Sequence, residues 1–158
     1  MLYGAVGASV GAPALLASGP AIAVETVAAL KVVHAKGSWG GHRNGRIPLS
    51  ALTRVGDFHF RTDAAIALTA LRSAYQKALG RTLAMNAGYR DIDGQWAMWR
   101  RYQNGGNLAA YPGTSNHGWA LAVDFGGEVA QGSGTAGHRW LRNNAEKYGW
   151  WWAGRNFS

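Results

Sequence analysis

The chain has 158 residues, 47% of them hydrophobic, with 8 Trp and no Cys. That composition supports a packed core and argues against disorder, and the absence of thiols excludes disulfides and cysteine-based metal sites, leaving His and carboxylates to hold any metal. A net charge of +8 and a pI of about 10.3 imply an anionic partner, whether nucleic acid, membrane or a carboxylate- and phosphate-rich cell wall, without choosing among them.

Residues 1–24 are rich in Ala and Gly and carry no charge. They lack the basic start of a signal peptide. Gly4, Gly7, Gly11, Pro13 and Pro20 interrupt any spanning helix. A loosely ordered extension over residues 1–36 is expected, with a short helix over 25–33. Residues 37–46 are loop chemistry and mark the start of one domain over 37–158. His42 in this loop is expected to be solvated.

The clearest helix runs over 62–79. Thr62 is expected to cap it, and Asp63 suits its first turn. Ala64, Leu68, Leu71, Tyr75 and Leu79 form its core stripe, and Gly80 ends it. Residues 83–87 read as a strand leading into Gly88-Tyr89-Arg90-Asp91. Asp93 is expected to cap a second helix reaching about Tyr102, with Trp96 and Trp99 on one face, read as core residues in preference to sugar platforms. Asn104-Gly105-Gly106-Asn107 stops it. A loop over 126–137 and a third helix over 136–148 follow. His138 is expected at the surface, and Glu128 and Glu146 are read as charges away from any site.

Between the second and third helices lies Ser115-Asn116-His117-Gly118-Trp119-Ala120-Leu121-Ala122-Val123-Asp124. Seven extended residues would separate His117 from Asp124 by roughly 23 Å. Two ligands of one metal keep their donors only ~2.0–2.2 Å from it. For both to bind one ion the chain must bend, and Gly118 is the expected bend. Residues 120–125 alternate as a strand. Ala120, Ala122 and Asp124 share the side facing an open cleft, and Leu121, Val123 and Phe125 the core side.

This stretch resembles Ser-x-His-x-x-Gly-x-Ala-x-Asp, the signature of the VanY-like zinc D-alanyl-D-alanine carboxypeptidases, a family that includes L-alanyl-D-glutamate endopeptidases of phage endolysins. Position 120 departs from it, holding Ala where the family has Gly. The resemblance runs from about Trp39 to the end. It implies an α+β fold of the hedgehog or DD-peptidase type: a small antiparallel sheet carrying a metal site, with two or three helices packed on it. It implies Zn²⁺ on His117 and Asp124.

Residues 88–91 resemble the family's Ser-x-Tyr-Arg-Ser stretch, which implies that Arg90 enters the cleft as a catalytic and substrate-binding residue. A guanidinium suits a carboxylate or a developing oxyanion. Gln95 falls where the family has a polar residue lining the cleft. Ser115 is a candidate either to bind substrate or to orient the ligand loop. The family's general base and third zinc ligand come from a later Glu-x-Trp-His, and no Glu-x-x-His occurs in the chain. The chain is read as truncated before that motif in preference to two alternatives, a missing strand supplied by another polypeptide and a degenerate, non-catalytic domain.

The implied function is zinc-dependent hydrolysis of peptidoglycan stem peptides, as a carboxypeptidase or an endolysin-type endopeptidase. The enzyme is expected to act as a monomer at the anionic cell wall, outside the cytoplasm. The alternative is a non-catalytic peptidoglycan-binding or structural module of the same fold. The arginines are scattered rather than set in a recognised motif, so no nucleic-acid partner is expected.

Overall fold

In a computed structural model, the structure describes residues 3–6 and 39–152. In chain order the elements are β1 (Tyr3–Val6), β2 (Thr53–Val55), β3 (Phe58–Phe60), α1 (Thr62–Leu79), β4 (Met85–Ala87), α2 (Ile92–Gln103), β5 (Ala122–Phe125), α3 (Ala136–Asn144) and β6 (Trp150–Trp152). The expected α+β architecture is observed. Strands β4-β5-β1-β6 form an antiparallel sheet, and β2-β3 a separate hairpin. Four residues of the Ala/Gly-rich segment thus stand inside the main sheet, with Tyr3 in register with Asp124. The expected helix over 25–33 lies outside the described residues.

The core sits between the sheet, α1 and α3. Val123, Phe125 and Trp150 meet Leu68, Leu71, Tyr75 and Leu141, with Val55 and Phe60 from the hairpin closing one end. Leu68 and Leu71 are fully buried, each contributing roughly 1.5–3 kcal/mol by leaving water. The stripe read from the sequence is the buried face of α1, except that Leu79 is only half-buried. Gly80 ends α1 in the left-handed conformation, as expected.

The caps differ from expectation. Arg61, not Thr62, precedes the first helical turn, and it caps with no side chain. Its guanidinium instead holds Asp63, while Thr62 Oγ1 meets Thr53 Oγ1 at 3.0 Å. Helix α2 is capped by Asp91, whose carboxylate accepts from Gly94 N at 2.7 Å, so Asp93 lies in the first turn. The strand expected over 83–87 shortens to β4. The 126–137 loop contains a 3₁₀ turn at Gly127–Gln131, and the third helix passes into a 3₁₀ turn at Ala145–Tyr148.

Two further expectations fail for one reason: apolar spacing does not say what faces it. Trp96 and Trp99 are not core. Trp96 is 39% exposed, and no residue of α2 enters the apolar core. His138 is not at the surface. It is buried, edge-on to Trp152 at 4.6 Å, and burial pushes its pKa down. Among the described residues no helix is long and apolar enough to cross a membrane.

Candidate active site

His117 comes from a 3₁₀ turn at Asn116–Trp119, and Asp124 from the middle of β5. The bend between them is not at Gly118. It is at Ala120, which adopts φ 56° and ψ 33°. Left-handed backbone costs an L-residue roughly 1–2 kcal/mol. Gly118 is required for space instead. A Cβ there would stand 1.9 Å from Asn44 Oδ1 and 2.3 Å from Gln95 Nε2. The alanines expected to border open space, Ala120 and Ala122, are both buried.

The turn is held by a polar hub. Asn44 Nδ2 donates to Ser115 O at 2.7 Å, and Gln95 Nε2 donates to Asn44 Oδ1 at 3.0 Å and to Arg90 O at 3.2 Å. Gln95 Oε1 accepts from Gly113 N at 2.9 Å. Gly45 N donates to Gly118 O, and Ile92 N to Gly45 O, both at 2.8 Å. Gly45 needs both its φ of 72° and its missing Cβ, which would meet Gln95 Nε2 at 2.6 Å.

Gln95 is therefore not on the cleft wall. It is 2% exposed, and its amide is engaged within the hub. Ser115 is also buried, and its hydroxyl accepts from His117 N at 3.2 Å, orienting the turn that carries His117. Asn44 was not singled out from the sequence. Its only signal is its place in the loop over 37–46 that opens the domain.

The reactive groups converge. His117 Nδ1 donates to Gly88 O at 2.7 Å, which leaves Nε2 as the ring nitrogen turned toward Asp124. That Nε2 faces Asp124 Oδ1 at 3.5 Å, and the buried Oδ1 accepts no hydrogen bond from the described residues. Asp124 Oδ2 stands 3.8 Å from Arg90 Nη2. Two donors ~2.1 Å from one ion at the tetrahedral angle are about 3.4 Å apart. The pair is thus spaced for a single divalent cation, and it is wider than a hydrogen bond between such groups. Its imidazole and carboxylate donors suit zinc.

Arg90 is fixed from its own backbone, where its N donates to His117 O at 3.0 Å. It borders a groove of about 670 Å³ shared with Arg46, Ile47, Leu49, Tyr89 and Asp93. Tyr89 Oη accepts from Ile47 N at 2.9 Å and ties down the groove wall. Among the described residues no third His, Cys, Asp or Glu joins the pair. His42 and His138 lie outside it. Glu128 accepts from Tyr75 Oη at 2.6 Å and pairs with Arg81 at 3.2 Å, on the far side of the core. Burial, followed by that bond, pushes the Tyr75 phenol up to about 12.

The family model for VanY, D-alanyl-D-alanine carboxypeptidase, matches residues 57–156. The chain belongs to the VanY family. Two solved structures share its fold at a TM-score of 0.50, each covering 65% of this chain. One is the LdcB LD-carboxypeptidase, described as revealing the molecular basis of peptidoglycan recognition, at 30% identity over 53% of its own chain. The other is a mutant of the vancomycin-resistance D,D-pentapeptidase VanY from a VanB-type cassette in complex with Zn(II), at 24% identity over 68% of its chain. The chain thus spans about half the length of the LdcB structure. No curated protein sequence matches it.

Proposed function

We propose that this VanY-family chain is a zinc-dependent peptidase of peptidoglycan stem peptides, a carboxypeptidase or an endolysin-type endopeptidase, acting as a monomer at the cell wall outside the cytoplasm. The observation that carries the reading is the 3.5 Å approach of His117 Nε2 to Asp124 Oδ1, with the opposite ring nitrogen tied to Gly88 O. The peptidoglycan recognition named for LdcB and the Zn(II) complex of VanY support it.

His117 and Asp124 would hold the ion, and Zn²⁺ bound there would supply Lewis-acid chemistry at a peptide carbonyl. Gly88 O keeps the imidazole in the tautomer that coordinates. Arg90 binds a stem-peptide carboxylate or the oxyanion of the cleaved carbonyl, its guanidinium being partly open to the groove. The general base and a third ligand are to be sought beyond the described residues.

A second reading, a peptidoglycan-binding module without catalysis, is favoured by the absence of a third ligand among the described residues. Zinc content and calorimetric affinity of the 158-residue chain, measured beside His117→Ala, separate the two. Stoichiometric zinc that weakens about a hundredfold or more in the variant supports the peptidase. Absence of zinc binding with retained sedimentation on purified peptidoglycan leaves the binding module.

A further inference from the structure

Helix α2 is unusual in this fold because its outward surface is aromatic while its one buried residue is Gln95. Trp96, Trp99 and Tyr102 project from it, and Tyr111 comes from the loop that leads to Ser115. Trp96 meets Tyr111 at 5.8 Å and 71°, and Trp99 meets the same ring at 5.5 Å and 76°. Trp99 also meets Tyr102 at 5.4 Å. Despite these contacts Trp96, Tyr102 and Tyr111 remain 39%, 38% and 56% exposed. Tyr111 meets both indoles edge to face and Trp99 meets Tyr102 at a tilt of 49°, so the exposed parts of the rings are held in set orientations. Arg100, one turn after Trp96, opens onto a shallow groove of about 620 Å³ that Ala97, Arg101 and Asn104 also line.

We infer that this surface binds the glycan strand of peptidoglycan. The inference rests on the proposed function for its choice of polymer. Three features of the surface point to a saccharide. The electron-rich face of an indole or phenol attracts the polarised C–H bonds of a pyranose ring, as it does other positive edges. Two guanidiniums and an amide along the groove supply donors for ring hydroxyl, acetamido and carboxyl oxygens, a charge match to an acceptor-rich polymer. Trp96 to Tyr102 spans about 9 Å along the helix, the scale of a short oligosaccharide rather than of one ring.

The surface is also tied through the backbone to the candidate active site. Gln95 precedes Trp96 and holds Gly113 N, two residues after Tyr111. A stem peptide reaches at most ~3.3–3.6 Å per residue. The glycan that bears a bound peptide must therefore lie close to Arg90, and α2 is the neighbouring element. A lipid surface fits less well, because the rings pack on one another instead of projecting singly.

The test uses the full chain, calorimetry, and two probes: peptidoglycan glycan strands stripped of stem peptides, and an N-acetylglucosamine oligomer. Saturable binding to either, weakened about tenfold or more in Trp96→Ala and Tyr111→Ala and retained in Trp96→Tyr, is expected. Circular dichroism of the alanine variants guards against a folding defect. His117→Ala keeps glycan binding even if it shows no zinc and no peptidase activity, so failure of the proposed function is read separately. No binding to stripped strands or oligomer overturns the inference. So does binding that both alanine variants leave intact, or binding through these rings only to oligonucleotides or anionic vesicles.

Discussion

Replacing Gln95 by Leu separates a residue that lines a cleft from one that holds the fold together. The two side chains are close in size, so the change opens no large cavity and acts through hydrogen bonds. Three are lost, to Asn44 Oδ1, Arg90 O and Gly113 N, at 3.0, 3.2 and 2.9 Å. Each is worth roughly 0.5–1.5 kcal/mol net, and groups left buried without partners add their own desolvation. The expected loss is about 3 kcal/mol, a large part of the roughly 5–15 kcal/mol that holds a domain together. At ~2–4 °C per kcal/mol for a chain of this size, Tm falls by roughly 6–12 °C in thermal unfolding followed by circular dichroism. Gln95→Glu places a carboxylate against two acceptor oxygens, which raises its folded pKa. Its folded form then binds more protons than its unfolded form, so its deficit shrinks as pH falls. A Gln95→Leu protein melting within about 2 °C of wild type, with only its substrate affinity reduced, would restore the cleft-wall role and refute the hub.

Gly118→Ala forces a methyl group onto Asn44 Oδ1 and Gln95 Nε2 and is expected to cost about 2 kcal/mol or more in urea unfolding; an unchanged midpoint would show that the turn relaxes freely. At Ala120, Gly would relieve roughly 1–2 kcal/mol of left-handed strain but lose a buried methyl worth ~0.8 kcal/mol and gain unfolded-state freedom worth ~0.4–1 kcal/mol. Ala120→Gly is thus expected within about 1 kcal/mol of wild type, whereas Ala120→Val, a β-branched residue at φ 56°, is expected to lose more than ~2 kcal/mol; equal stability of the two variants would contradict the strained bend. Burial lowers the His138 pKa, so below ~6.5 the unfolded chain takes up a proton that the folded chain resists, and stability falls as pH drops through and below that value. His138→Phe should flatten the change in urea midpoint between pH 7.5 and 5.5, and an identical slope in the variant would remove His138 as its source.

What the sequence made legible was local. Helix α1 was readable in extent, though not in its cap, because its stripe, its early Asp63 and its terminal Gly80 all lie within one segment. The closeness of His117 and Asp124, 3.5 Å apart, was legible through the likeness to the family signature, because two donors seven residues apart meet at one ion only if the chain bends between them. The hub was not readable. Asn44 reaches Ser115 across 71 positions and Gln95 reaches Asn44 across 51, and nothing in the composition of a polar side chain says that it will be buried. The aromatic residues of α2 had the spacing of a core face, but the element opposite them is a loop bearing one tyrosine, so the same pattern yields a surface. Strand β1 carries no alternation that separates it from its Ala/Gly-rich surroundings, and only its register against Asp124 and Trp152 reveals it.

The two positions of the central turn show why residue type alone misled. A glycine answers two physical demands, freedom at positive φ and absence of a Cβ, and a sequence does not say which one is being met. Gly118 meets the second: it lets Asn44 and Gln95 close against the turn that carries His117. The first demand falls two residues later, where the family signature has glycine and this chain has Ala120 at φ 56°. The strain there is nearly balanced by the burial of the alanine methyl, which is why the exchange is tolerable. Steric need at 118 has no such substitute, because the colliding atoms belong to the hydrogen bonds that build the site. Of the two, position 118 should be the intolerant one, although only position 120 belongs to the glycine of the motif.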